Sequence, residues 1–244
     1  GHVTCFFNFN TFASIPRESP VYLSPEAERI VHSRRVCKTF DFSWCKHLQS
    51  VILPFFHCCT DPIDLNLSGC NITDSTFIQL SGQDKLRRLN CANSKQITDE
   101  GLMAIVQSNP SLIGIDLSGC PNITNKTLFY IAENCKKLES ISLSHCPTIS
   151  DRGLKEVISK CSSLQRIDLE GYTQFTPTTI DILCQGKAKV NLSGCPTLTD
   201  KDLEKLIKKL EQKREVKTVY HTDAQSRTSF SVLYYSSMSA VDRK

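Results

Sequence analysis

The stretch Leu65-Asn66-Leu67-Ser68-Gly69-Cys70, followed by Ile72-Thr73-Asp74, returns along most of the chain. Its clear copies begin at Ile115, Ile141 and Val190 and put Cys120, Cys146 and Cys195 where the first has Cys70. Two worn copies lie between them, Leu89 to Ser94 and Ile167 to Tyr172. The column headed by Cys70 therefore steps by 24, 26, 26, 26 and 23 residues. A unit that short cannot enclose a core alone, so consecutive units must stack and bury one another's apolar edges. Within a unit, an alternating pair such as Ile115 and Leu117 reads as a short strand. Leu128, Ile131 and Ala132 then read as one face of a helix capped by Thr124 or Asn125. The predicted fold class is α/β: a right-handed solenoid with parallel strands on the concave face and helices on the convex face.

The recurring L-x-x-L-x-L-x-x-[NC] pattern is the signature of a leucine-rich repeat. Four regions are expected: an irregular segment over 1–35, a degenerate capping repeat over 36–61, the repeats with a C-terminal cap over 62–220, and a mobile Ser/Thr-rich tail over 221–244. Pro16, Pro20 and Pro25 disfavour long helix near the start, where Ser24 would cap a short helix from Glu26 to Ser33. In the capping repeat, Phe40-Asp41 stands where Thr-Asp stands later, and Phe42, Trp44, Leu48, Val51 and Ile52 follow as a partly helical pattern. Val216 to Tyr220 reads as a closing strand after a last helix that begins at Asp200. Seven basic residues between Lys201 and Lys217 read as that helix's solvated face, with a docking patch as the alternative. The chain starts at Gly1 rather than Met, which suggests a fragment, a processed chain or an incomplete gene model.

Thirteen cysteines suggest a disulfide framework until they are set on the repeat. Cys70, Cys120, Cys146 and Cys195 fall at the strand-to-helix turn, and Cys135, Cys161 and Cys184 fall at the helix end, where a small apolar group packs. The odd count and the solenoid spacing predict reduced thiols and a cytoplasmic or nuclear location. Five N-x-[ST] sequons, at Asn66, Asn71, Asn122, Asn125 and Asn191, pull toward an extracellular chain but arise from the repeat consensus itself. A net charge of +4 is too small to argue for nucleic acid, and no apolar run is long enough to span a membrane.

No P-loop, G-x-G-x-x-G, H-E-x-x-H or nucleophile elbow is present, and no enzyme activity or cofactor is expected. The column Asp74, Asp99, Asp151, Asp200 resembles a row of catalytic carboxylates, but each stands at a helix start, where it is expected to act as a cap. Cys45, His47, His57, Cys58 and Cys59 carry metal-ligand chemistry at a spacing that matches no common zinc pattern. What remains is a surface. The outward strand positions are mostly small and polar. The departures are Arg88, Arg166 and Lys189, a loose basic row beside Arg87, interrupted by Asp168 and Glu170. With Asp116 these are the candidate partner-binding residues, suited to a protein with an acidic or mixed segment.

The copies L-x-L-S-G-C-x-x-[IL]-[ST]-[DN]-x-x-[LF] over residues 62–212 resemble the cysteine-containing class of leucine-rich repeats. That class is best known from F-box/leucine-rich-repeat proteins and the antagonist of mitotic exit network family. The segments Tyr22-Leu23-Ser24-Pro25 to Arg29-Ile30 and Val216 to Tyr220 look like the latter. Ile15-Pro16-Arg17-Glu18 and Val36-Cys37-Lys38-Thr39-Phe40 faintly resemble F-box landmarks. The resemblance implies substrate recognition for a cullin-type (SCF) ubiquitin ligase, in protein degradation or cell-cycle control. The F-box adaptor and a cullin would then dock on the N-terminal segment. The alternatives are a binding inhibitor of a signalling protein and an extracellular leucine-rich-repeat receptor fragment.

Overall fold

The computed structural model describes residues 6–8, 39–44, 63–82, 84–212, 218–222 and 229–233. Between residues 63 and 212 strand and helix alternate at the predicted period. The strands are Phe6–Asn8 (β1), Thr39–Asp41 (β2), Ile63–Asn66 (β3), Leu86–Asn90 (β4), Gly114–Asp116 (β5), Ser140–Ser142 (β6), Arg166–Asp168 (β7), Lys189–Asn191 (β8), Thr218–Thr222 (β9) and Ser229–Leu233 (β10). The helices are Asp74–Leu80 (α1), Asp99–Ser108 (α2), Asn125–Asn134 (α3), Asp151–Lys160 (α4), Pro177–Leu183 (α5) and Asp200–Gln212 (α6). The strands form one sheet in chain order, parallel from β1 to β9 and antiparallel between β9 and β10.

Strand register keeps the apolar positions in columns although the repeat length varies from 23 to 26 residues. Phe40 pairs with Leu65, Leu65 with Leu89, and the column continues through Ile115, Ile141, Ile167 and Val190 to Val219. Every member is at most 5% exposed. The next inward column, Phe42, Leu67, Cys91, Leu117, Leu143, Leu169 and Leu192, is also buried. Each helix closes the core from the other side, as with Leu128, Ile131 and Ala132 of α3. A parallel strand must be covered by its crossover, and the helices supply that cover. Truncating a fully buried leucine or isoleucine in such a column costs about 2–5 kcal/mol.

Four expectations are corrected at the ends and at the helix caps. Phe40-Asp41 is not a Thr-Asp cap equivalent but part of β2, so Phe42 occupies the place of Leu67 and Trp44 that of Gly69. Residues 1–35 are not wholly irregular, because β1 extends the parallel sheet. The tail is not structureless throughout: His221 and Thr222 belong to β9, and Ser229–Leu233 folds back on it as β10. Finally, the helix caps are Thr73, Thr98, Thr124, Ser150 and Thr176, one residue before the aspartate column, and Thr124 is the one of the two expected candidates that caps its helix. The proposed Glu26–Ser33 helix, Leu48, Val51, Ile52 and the Cys45–Cys59 cluster lie outside the described residues.

Candidate protein-binding face

Two polar columns line the sheet face opposite the core. The first is set by strand starts, where register joins Asp64, Arg88, Gly114, Ser140, Arg166 and Lys189. The second is set by strand ends, where it joins Asn66, Asn90, Asp116, Ser142, Asp168 and Asn191. Asp41 adds a further member to the second column. Side chains two residues apart on a strand share a face, so the columns run side by side about 7 Å apart.

This geometry sorts the candidate residues differently from their order in the chain. Arg166 and Lys189 are direct neighbours, both exposed, with no ion-pair partner among the described residues. Arg88 shares their column but is tied to Asp64 at 3.1 Å. Asp168 does not interrupt the basic column: it lies in the strand-end column with Asp116, and Glu170 lies one step further along. The carboxylates of Asp116 and Asp168 also do structural work. Asp116 accepts from the backbone N–H of Ser118 at 3.0 Å and its hydroxyl at 2.6 Å. Asp168 accepts from the N–H of Glu170 at 3.1 Å and from Nδ2 of Asn191 at 2.9 Å. Asp41, Asn66, Asn90 and Asn191 close the same side-chain turn in their own repeats.

Two features of this face escape a reading by pattern. The pairing of β3 with β4 shifts register between Ile63 and Asp64, so β4 carries a bulge and exposes both Arg87 and Arg88. The second feature is the rim, where the residue before the cysteine column has left-handed backbone in every repeat. Glycine fills it at Gly69, Gly119, Gly171 and Gly194, but Trp44, Asn93 and His145 hold φ of 63°, 61° and 55°. Each of these three lies against the glycine of the following repeat; a Cβ added to Gly69 would stand 2.5 Å from the Trp44 ring. Trp44 is consequently a large apolar side chain left 64% exposed at the rim. The sequence signal was available at Asn93 and His145, two non-glycine residues in a glycine column.

The helix-start column has a different role. Asp74 accepts from the N–H and hydroxyl of Thr98, the cap of the following helix, at 2.8 and 2.6 Å. Asp99 accepts four such bonds from Thr124 and Thr127, between 2.5 and 3.2 Å. Asn125 holds Ser150, and Asp151 takes the hydroxyls of Thr176 and Thr179. Asp200, with no helix after it among the described residues, is exposed. Burial alone would raise the Asp99 carboxyl, yet the hydrogen bonds from Thr124 and Thr127 hold it below the ordinary carboxylate range. These carboxylates join one repeat to the next.

The cysteines also join repeats. The thiols of Cys70, Cys120, Cys146 and Cys195 donate to carbonyls of the preceding repeat, those of Phe42, Cys91, Leu117 and Leu169. Ser94 stands in that column with a shorter side chain, and its buried hydroxyl has no partner among the described residues. The eight cysteines among the described residues are all buried. Burial pushes Cys146 and Cys135 up to about 12, and Cys161 and Cys195 up to about 11, so each stays protonated and a poor nucleophile at neutral pH. No group of three or more His, Cys, Asp or Glu with metal-holding geometry occurs among the described residues. Three sequon amides are already engaged through Nδ2, the glycan attachment atom: Asn122 donates to the carbonyl of Lys95, Asn125 to Ser150 and Asn191 to Asp168.

Comparison with known proteins agrees with this architecture. A family model described as "Leucine Rich repeat" matches residues 134–157, which run from the end of α3 through β6 into α4. No curated protein matches the sequence. Among solved structures, a chain in the crystal structure of the Rad7 and Elc1 complex in yeast is similar in fold, with a TM-score of 0.55 at 19% identity. The similarity covers 63% of this chain and 41% of that one, so the match spans about two fifths of the yeast chain.

Proposed function

We propose, starting from the premise that this chain is a leucine-rich-repeat protein, that its concave face recruits a protein partner as the substrate-recognition part of a cullin-type ubiquitin ligase. The observation that carries the binding role is the pair of polar columns aligned by strand pairing across β3 to β8, with Arg166 and Lys189 exposed and unpaired among the described residues. A face of that kind offers many fixed contacts at a repeat of about 4.8 Å, the distance between strands. The ligase role rests on the resemblance to F-box/leucine-rich-repeat proteins and on the fold similarity to a chain of the Rad7 and Elc1 complex. Phe40, the last of the F-box-like landmarks, is a core residue of β2 at 3% exposure, so an adaptor would use residues 15–38 rather than Phe40. The cytosol or nucleus is the compartment this reading requires.

The test is affinity purification of the chain from cells with the proteasome inhibited, followed by mass spectrometry. Co-purification of the F-box adaptor and a cullin is the expected result, with the other enriched proteins as candidate substrates. Their absence beside another strongly enriched protein would replace the ligase role with that of a binding inhibitor. Such a protein would change its partner's activity without changing its abundance.

A further inference from the structure

We infer, building on the concave-face reading, that the partner presents two parallel strips of opposite charge, with its carboxylates over the strand-start column and its cations over the strand-end column. The strand-start column carries the unpaired Arg166 and Lys189, and its one other cation, Arg88, is balanced by Asp64. The strand-end column carries Asp41, Asp116 and Asp168 and no Lys or Arg from β2 to β8. The next position along each repeat adds Glu170 and again no Lys or Arg.

Those charges are not what the fold requires. Where the turn at a strand end uses a side-chain acceptor, Asn66, Asn90 and Asn191 supply it without charge. Asp116 and Asp168 therefore carry a negative charge that their turns do not need. Ser140 likewise shows that the strand-start column accepts a neutral residue. Between the charged ends, Gly114 and Ser140 leave a low floor where a partner backbone can approach closely. A partner docked with its strips reversed would set cations against Arg166 and Lys189 and carboxylates against Asp116 and Asp168, and like-charge juxtaposition suppresses wrong docking. The two columns thus select orientation as well as partner. From β2 to β8 the face is about 29 Å long, six strand spacings, which an α-helix of about 20 residues matches.

The probe is a pair of alanine-based helical peptides of that length and of identical composition. One has Glu along one flank and Lys along the other; the second has the same charges interleaved. Each is titrated onto the full chain, and binding is read by anisotropy of a labelled peptide. Emission of Trp44, the only tryptophan in the sequence, gives a second readout from the rim of the face. The segregated peptide should bind about fivefold more tightly at low salt, with the preference fading as ionic strength rises. Two neutral variants take their residues from the protein's own columns: Arg166→Ser with Lys189→Ser, and Asp116→Asn with Asp168→Asn. Each should reduce the preference to below about twofold. Equal binding of the two peptides, binding of neither, or a preference that survives Asp116→Asn with Asp168→Asn would overturn the inference. The concave-face reading would still stand in that case if capture of a cellular protein were lost on charge reversal of Arg166 and Lys189.

Discussion

Two columns of carboxylates recur at the same period in this chain, yet they do opposite things. At helix starts, Asp74, Asp99 and Asp151 are anchored by hydroxyls and amides of the following repeat. At strand ends, Asp41 and Asp116 bond to their own turns, and Asp168 bonds to its own turn and accepts one amide from Asn191 of the next strand. The first column is interchangeable only with a residue that can reach the next repeat, as Asn125 does. The second accepts asparagine freely. A recurring acidic residue in a solenoid is therefore a structural link where it bridges repeats and is free to serve recognition where it does not.

The comparison breaks if the helix-start column proves expendable. Asp99→Ala removes the acceptor for four donors and should cost about 3 kcal/mol in urea unfolding, because the donors of Thr124 and Thr127 lose a charged partner. The same link has a pH signature. The folded-state pKa of Asp99 lies below its unfolded value, so its contribution is fully present above the ordinary carboxylate range and is lost as pH falls through the folded value. Acid unfolding below about pH 4 should be less steep in Asp99→Asn than in the wild type.

Gly101→Ala probes the same junction from the other side. Its new Cβ would stand 2.3 Å from Oδ1 of Asp74, and a loss of about 2 kcal/mol is expected in the same unfolding assay. Ser94→Cys should act in the opposite direction. A thiol there can reach the carbonyl of the preceding repeat as Cys70 and Cys120 do, with a gain of about 1 kcal/mol seen as a higher thermal midpoint. The smallest effect belongs to the strand-end column. Asp116→Asn should change stability by less than about 0.5 kcal/mol; a loss as large as that of Asp99→Ala would erase the distinction between the columns.

The period, the alternation of strand and helix and the buried columns were all legible in the sequence, because stacking forces apolar residues such as Ile115, Ile141 and Ile167 into fixed register. Less legible was any contact that crosses from one repeat to the next. Asp99 looks like a cap when seen within one repeat, and only the neighbouring Thr124 shows what it holds. The same limit joined Asp168 to Arg166 as one interrupted row, although pairing puts them in separate columns. Trp44 was assigned to a helical pattern because its repeat has lost the Leu-Ser-Gly-Cys landmarks; its left-handed backbone identifies it as a member of the glycine column. At Ser229–Leu233, Ser/Thr-rich composition concealed a strand that forms only by folding back on β9.

The central claim is that the concave face captures a protein partner through its strand-start cations. Its most direct test is the triple variant Arg88→Glu, Arg166→Glu and Lys189→Glu, compared with the wild-type chain for quantitative capture of cellular proteins once its unfolding midpoint has been shown to be unchanged. Loss of the main wild-type partner by the folded variant is the predicted result. Undiminished capture would contradict the account and move the binding surface off this face.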